Sequence, residues 1–190
     1  ATRATAAELA AAAGRRHLLL SFKGVCQPSS ARPALSRLHN GRDIISVCTG
    51  GGKGGGAASA AQYDYKALML SSVFSAAPAG NGLHSYRLAE SIFLGAIPVI
   101  VDEKLVLPYC SVLDWSRFSV RVKRAQVAEL PAILRAIPPA KVQAMQERCQ
   151  GLCEHSSKVS FEGASADCSE HIAQTARSLS SISSALGVWG

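Results

Sequence analysis

Acidic residues are the scarcest charged group in this sequence, with 13 Asp and Glu against 20 Lys and Arg and a net charge of +7. That balance excludes an acidic solvating chain and favours anionic partners: nucleic acid, a phosphorylated small molecule or an acidic polysaccharide. Aromatics are only 6%, and the basic residues stand singly apart from Arg15-Arg16 and Lys123-Arg124. The stacking platforms of single-strand binders are therefore missing, and no nucleic-acid partner is expected. Long hydrophobic runs are missing too. The longest, residues 92–101, has ten residues and is broken by Gly95 and Pro98, too short for a bilayer-spanning helix. The six cysteines (26, 48, 110, 149, 153, 168) contain no CxxC, which argues against a zinc ribbon or a thioredoxin-like site and leaves fifteen pairings if all are bridged. Neither asparagine, Asn40 or Asn81, begins a glycosylation sequon. The chain opens on Ala, and its Ala-rich start at residues 4–13 is interrupted by Glu8 and lacks the apolar stretch of a signal peptide. It reads as a piece of a longer protein whose anchor lies elsewhere.

What is present is ordinary globular material. With 48% hydrophobic residues in 190, the chain can bury roughly 70% of its unfolded surface, enough for one core. Residues 17–23 (HLLLSFK) and 43–49 (DIISVCT) are apolar runs closed or opened by turn residues, and read as buried strands. Between them 32–39 (RPALSRLH) begins with an early proline and reads as a short helix, giving a βαβ unit. Residues 50–62 (GGGKGGGAASAAQ) are a low-complexity insertion. Next come a helix near 64–71, a strand at 73–77, a loop, a helix at 84–94 and a strand at 97–101. One more strand is expected at 119–122. Helical stripes are then expected at Val127/Leu130/Leu134/Ile137, Val142/Met145/Cys149/Leu152 and Ile172/Ala176/Leu179/Ile182. Alternating short strands and helices predict an α/β fold, a Rossmann-like parallel sheet with helices on both faces.

Two segments could bind a nucleotide. Gly50-x-Gly52-x-x-Gly55 comes after a strand and has the outward form of a dinucleotide fingerprint. It leads into an Ala/Ser tract rather than a helix start, and no acidic residue lies about 20 positions on to hold a ribose, so we reject it. Lys53-Gly54 likewise fails the Ser/Thr requirement of a P-loop. The second segment, 78–90 (PAGNGLHSYRLAE), runs from the carboxyl end of a strand into a helix, where open α/β sheets bind ligands. Small residues such as Gly80 let the backbone approach a ligand, and Ser85 is placed as helix cap or phosphate donor. At 100° per residue Arg87, Glu90 and Ser91 share a face. A guanidinium there can neutralise a pyrophosphate, and a carboxylate one turn on can accept ribose hydroxyls. The plain alternative is an i,i+3 surface salt bridge between Arg87 and Glu90.

Several further residues have structural readings. Asp102 and Glu103 end a strand at the same edge of the sheet, where solvated loop carboxylates are the simpler account. Asp114-Trp115 reads as a loop anchor with a buried indole whose N–H needs a partner. Cys149 reads as a buried thiol on its helix stripe, and its spacing to Cys153 and His155 fits no common zinc pattern.

The ordered set Phe22-Lys23-Gly24, Arg32-x-x-Leu35, His39-Asn40-Gly41-x-Asp43, Tyr63-x-Tyr65, Phe74-x-x-x-Pro78-x-Gly80, Ser85-x-Arg87-x-x-Glu90, Gly95-x-Ile97-Pro98-Val99, Leu107-Pro108-Tyr109 and Leu113-Asp114-Trp115 resembles the exostosin family of glycosyltransferases (family 47), from about residue 17 to about residue 155. Ala79 stands where many members carry a basic residue. The resemblance implies a GT-B enzyme with two Rossmann-like lobes, transferring a sugar from a UDP-sugar with inversion to a glycan or polysaccharide and without a bound metal or other cofactor. This chain is similar only to the second, donor-binding lobe. By that carry-over Ser85 and Arg87 hold the UDP pyrophosphate, Glu90 the ribose, Gly80 lines the loop and Arg32 adds a phosphate or sugar contact. The catalytic base is expected in the first lobe, and no residue here is nominated for it. The resemblance further implies a parent protein on the lumenal side of the Golgi membrane, where some cysteines would be bridged, and a homo- or heterodimer with another exostosin-like chain. The expected division is an Ala-rich segment (1–16), the nucleotide-sugar lobe (17–160, with 50–62 inserted) and a C-terminal helical segment (161–190). A non-catalytic, scaffold or polysaccharide-binding relative is the rival reading.

Overall fold

A computed structural model describes residues 4–12, 14–27, 29–49, 61–80, 85–110 and 113–158, apart from the side chains of Ala6 and residues 153–158. The glycine-rich segment 50–60, the loop 81–84, the stripe at 172–182 and Cys168 lie outside it, as do the side chains of Cys153 and His155. Among the described residues no helix is long and apolar enough to cross a membrane.

Five strands, β1 (Leu18–Val25), β2 (Ile44–Thr49), β3 (Ser72–Pro78), β4 (Ile97–Val101) and β5 (Val120–Val122), form one sheet in the order β2-β1-β3-β4-β5. Every neighbouring pair is parallel, for example Leu20 beside Ile44 and Phe74 beside Ile97. All five expected strands are therefore present. Along β4 every residue is buried, the pattern of a strand covered on both faces.

The helices are α1 (Ala6–Ala12) before β1, α2 (Ala31–Ser36), α3 (Tyr65–Leu70) and α4 (Tyr86–Phe93) between strands, and α5 (Leu130–Arg135) and α6 (Pro139–Lys158) after β5. Right-handed crossovers send the chain to one face on the way to β2 and to the other on the way to β3. On the first face Leu35, Leu130, Leu134 and Met145 pack against Leu20, Phe22, Phe74 and Val99. On the second, α3 sets Leu68 against Ile45 and Val47, and α4 sets Leu88 and Ile92 against Ala77 and Ile100. The first expected C-terminal stripe is split between a 3₁₀ turn (Arg124–Glu129) and α5, because Pro131 sits in the first turn of α5, where its missing N–H costs nothing.

Local chemistry sets the boundaries. Asp64 caps α3 by accepting from Ala67 N at 2.7 Å. Asn40 Oδ1 accepts from Arg42 N and Ile44 N, so the Asn40-Gly41 turn delivers the chain into β2. Thr5 and Glu8 cap α1 reciprocally, and Glu8 also meets Lys66 Nζ at 2.7 Å. Ala4 is buried with Met69 and Leu94, so the segment before β1 packs on α3 and α4.

Arg16 fastens the amino edge of the sheet. Its guanidinium donates to Met69 O, Ser72 O and Leu94 O at 2.7–2.9 Å, placing a cation on the carbonyl ends of α3 and α4. Burial pulls its pKa down to about 10. Gly95 has φ +68° there, and a Cβ on it would lie 2.6 Å from Arg16 Nη2, so only glycine fits.

Candidate functional site

Strand order reverses between β1 and β3, since the chain leaves β1 toward β2 and returns past it to β3. In a doubly wound sheet with this order the crevice outside the carboxyl ends of those two strands is where ligands bind. The ends there are Lys23 to Val25 on one side and Pro78 to Gly80 on the other. The structure brings Arg32, Gly80, Ser85, Arg87 and Glu90, the five expected binding residues, to the elements that flank this crevice.

Arg87 enters from the first turn of α4 and donates Nη2 to Lys23 O at 2.8 Å. Its Cζ lies 4.9 Å from the Phe22 ring centre and 5.3 Å from that of Tyr65. A Cβ on Gly24 would fall 2.8 Å from Nη2, so the glycine makes the seat in which the guanidinium lies. Nη1 is buried and has no hydrogen-bond partner among the described residues. A buried charged donor left without a partner carries a desolvation cost.

Glu90 does not pair with Arg87. Among the described residues the ion pairs are Lys66–Glu8, Arg124–Asp102 and Arg135–Asp43, so the surface salt bridge allowed by the i,i+3 spacing is not formed. Glu90 Oε2 instead accepts the Tyr65 hydroxyl at 2.5 Å. Burial raises the Tyr65 pKa, Arg87 opposes and the Glu90 bond adds to it, so the phenol stays protonated as the donor. Tyr65 thus touches both groups, its ring on Arg87 and its hydroxyl on Glu90. Sequence reasoning placed Tyr65 in a motif without a role. The missing signal was tertiary, since Tyr65 and Glu90 are 25 residues apart.

Arg32 sits in the first turn of α2 and spans the crevice. Its Nε donates to Ala79 O at 3.1 Å and its Nη1 to Val25 O at 2.8 Å, joining the ends of β3 and β1. Its pKa is lowered, first by burial and then by the charge of Arg87. Two like charges therefore face one crevice, and among the described residues neither has a carboxylate. Gly80 comes directly after Ala79 at the end of β3 and is half-buried. Ser85 is the residue before α4, but its hydroxyl makes no capping bond, so its expected capping role is not seen. Ser91, grouped with Arg87 and Glu90 by angle, is fully buried and donates to Arg87 O. Beside Arg32 a disulfide joins Cys26 and Cys48 across the carboxyl ends of β1 and β2.

The remaining candidates are structural. Asp102 is not a solvated loop carboxylate: it is 4% exposed, accepts Lys104 N and lies 3.5 Å from Arg124 Nε. Glu103 accepts Arg124 N, and backbone hydrogen bonds lower its pKa. Trp115 is buried and donates Nε1 to Pro108 O, the loop anchor expected of it. Cys149 is buried on α6.

The doubly wound α/β lobe sets two guanidiniums, free of acidic partners among the described residues, at its switch point, an arrangement whose chemistry suits an anion. The Exostosin GT47 domain model matches residues 3–137. Exostosin-1 of Drosophila melanogaster is 32% identical over 153 residues, 72% of this chain and 20% of that protein. Exostosin-1c of Danio rerio is 31% identical over 153 residues, 73% of this chain and 21% of that protein. A protein of Arabidopsis thaliana named as a probable glycosyltransferase is 36% identical over 92 residues, 48% of this chain and 20% of its own length. The chain belongs to the exostosin GT47 family, and it spans about a fifth of the length of these relatives.

Proposed function

We propose that this chain is the donor-binding lobe of an inverting glycosyltransferase that uses a UDP-sugar and a glycan or polysaccharide acceptor. The observation that carries the reading is the pair Arg32 and Arg87, set at the β1/β3 crevice by carbonyls of the strand ends and without a carboxylate partner among the described residues. In the transfer, an acceptor hydroxyl oxygen bonds to the anomeric carbon as the bond to the β-phosphate oxygen breaks. The electron pair leaves on UDP, and single displacement inverts the centre. Negative charge grows on the diphosphate, and Arg87 Nη1, a buried donor without a hydrogen-bond partner among the described residues, is the group we assign to it. A preorganised donor of this kind is worth about 10²- to 10³-fold in rate. The two guanidiniums supply the counter-charge that a divalent ion would otherwise provide. Glu90, which accepts the Tyr65 hydroxyl, is the group we assign to the ribose hydroxyls. The base that takes the acceptor proton belongs to the other lobe.

The Cys26–Cys48 bridge supports a lumenal setting, since disulfides persist in oxidising compartments. A second reading, a glycan-binding relative without turnover, rests on Ala79, whose buried methyl supplies no cation to the crevice.

Calorimetric titration with UDP, with and without manganese, tests the proposal. Binding that needs no metal and disappears in a folded Arg87→Ala variant is the expected result. Unchanged UDP affinity in that variant overturns the assignment.

A further inference from the structure

Large hydrophobic side chains are exposed at three described positions, Val25, Tyr86 and Val106, and all three lie at the carboxyl edge of the sheet. Val25 ends β1, Tyr86 opens α4 and Val106 is in the loop after β4. Single exposed apolar residues are common on any surface, so this grouping at one edge is the informative part. Tyr86 is the extreme case at 76% exposure, and no described residue makes a hydrogen bond or ring contact with it.

Its place on α4 gives it a use. Tyr86 and Glu90 are separated by one turn, which puts their Cβ atoms about 5–6 Å apart on the same side of the helix. Arg87, rotated by about 100° from Tyr86, turns to the strand ends and Lys23 O. With Arg87 on the diphosphate and Glu90 on the ribose, Tyr86 is the exposed aromatic ring on the same side of α4 as the Glu90 carboxylate. An exposed aromatic ring with no partner is a stacking face for a nucleobase.

We infer that Tyr86 is the platform on which the base of the nucleoside diphosphate stacks. The inference rests on the donor-site reading above and adds the base-binding position to it. Stacking on a π-face tolerates any base, so Tyr86 supplies affinity for the nucleoside rather than selection of uracil.

The test uses the full chain and three probes, UDP, UMP and inorganic pyrophosphate, on wild type, Tyr86→Ala, Tyr86→Phe and Tyr86→Trp. Tyr86→Ala is expected to weaken UDP and UMP about tenfold, while pyrophosphate binds as to wild type. Tyr86→Phe restores UDP affinity, and the indole of Tyr86→Trp is quenched by UDP and not by pyrophosphate. UDP affinity unchanged in Tyr86→Ala, with Arg87→Ala still abolishing it, overturns the inference and leaves the donor site standing. Equal losses for pyrophosphate and UDP also overturn it, since the ring would then only support α4. A loss seen for UDP-sugars but not for UDP assigns the ring to the hexose instead and likewise overturns it. Wild type that binds neither UDP nor pyrophosphate overturns the donor site and this inference together.

Discussion

Tyr65 donates its hydroxyl to Glu90 Oε2 at 2.5 Å, and the same ring lies 5.3 Å from the guanidinium carbon of Arg87. A helix on the far side of β3 in sequence thereby holds both charged groups of α4 in fixed positions. Arg87 and Glu90 form no ion pair with each other.

Tyr65→Phe separates these two functions, because the ring stays against Arg87 while Glu90 loses its donor. We expect a stability loss of about 1 kcal/mol and UDP binding weaker by about five- to tenfold. Pyrophosphate, which has no ribose, should bind as before. UDP affinity equal to wild type would show that Glu90 needs no positioning.

Gly24→Ala targets Arg87 without touching it. The new Cβ would lie 2.8 Å from Nη2 and 3.3 Å from Phe22 Cζ, so the guanidinium must leave its seat and its bond to Lys23 O. The end of a long side chain moves cheaply, and the thermal midpoint should shift little. Affinity for UDP and for pyrophosphate should fall by about tenfold or more. A folded variant with wild-type affinity for both would mean the observed seat is irrelevant to binding.

The Cys26–Cys48 bridge closes a segment with a sequence separation of 22 and ties β1 to β2 beside Arg32. Replacing both cysteines by serine should cost about 3 kcal/mol of stability in the loop-closure account. Reductant should lower the unfolding midpoint of wild type and leave that of the double variant unmoved. Equal midpoints for the two proteins under oxidising conditions would contradict this.

Glu8 gives an acid-side prediction. Hydrogen bonds from Lys66 and from Thr5 hold its pKa down at about 2, against 4.5 for the free group. A folded value below the unfolded one means the unfolded chain binds more protons across that window, so Glu8 contributes stability that is complete above pH 4.5 and lost as pH falls toward 2. Acid unfolding curves of wild type and Glu8→Gln should differ above pH 4.5 and converge near pH 2. Curves that stay parallel down to pH 2 would assign the difference to something other than this ionisation.

Much of the molecule is legible in its sequence. Strand positions emerge from short apolar runs between turn residues, and Asn40-Gly41 and Asp64 mark boundaries by chemistry that acts within a few residues, whereas the break at Pro131 inside the stripe at 127–137 was not read. The place of Arg87 and Glu90 at the start of the helix that comes after β3 was legible from the strand, loop and helix pattern. The interactions that decide how they work were not legible. Whether Arg87 meets Glu90 or Lys23 O, and whether Asp102 meets water or Arg124, are choices among partners of similar local merit.

The sequence by itself determined the α/β class, the five strands, the cationic balance and the strand-to-helix segment that carries Arg87 and Glu90. These rest on periodicity, turn chemistry and composition, which are properties of neighbouring residues. Only the tertiary structure decided the reversal of strand order at β1 and β3, the Arg16 clasp on three carbonyls, the Cys26–Cys48 pairing among the many that six cysteines allow, and the contact of Tyr65 with both Arg87 and Glu90. Each of these joins residues far apart in the chain, and a distant partner is selected by the shape of the packed fold rather than by anything written beside it.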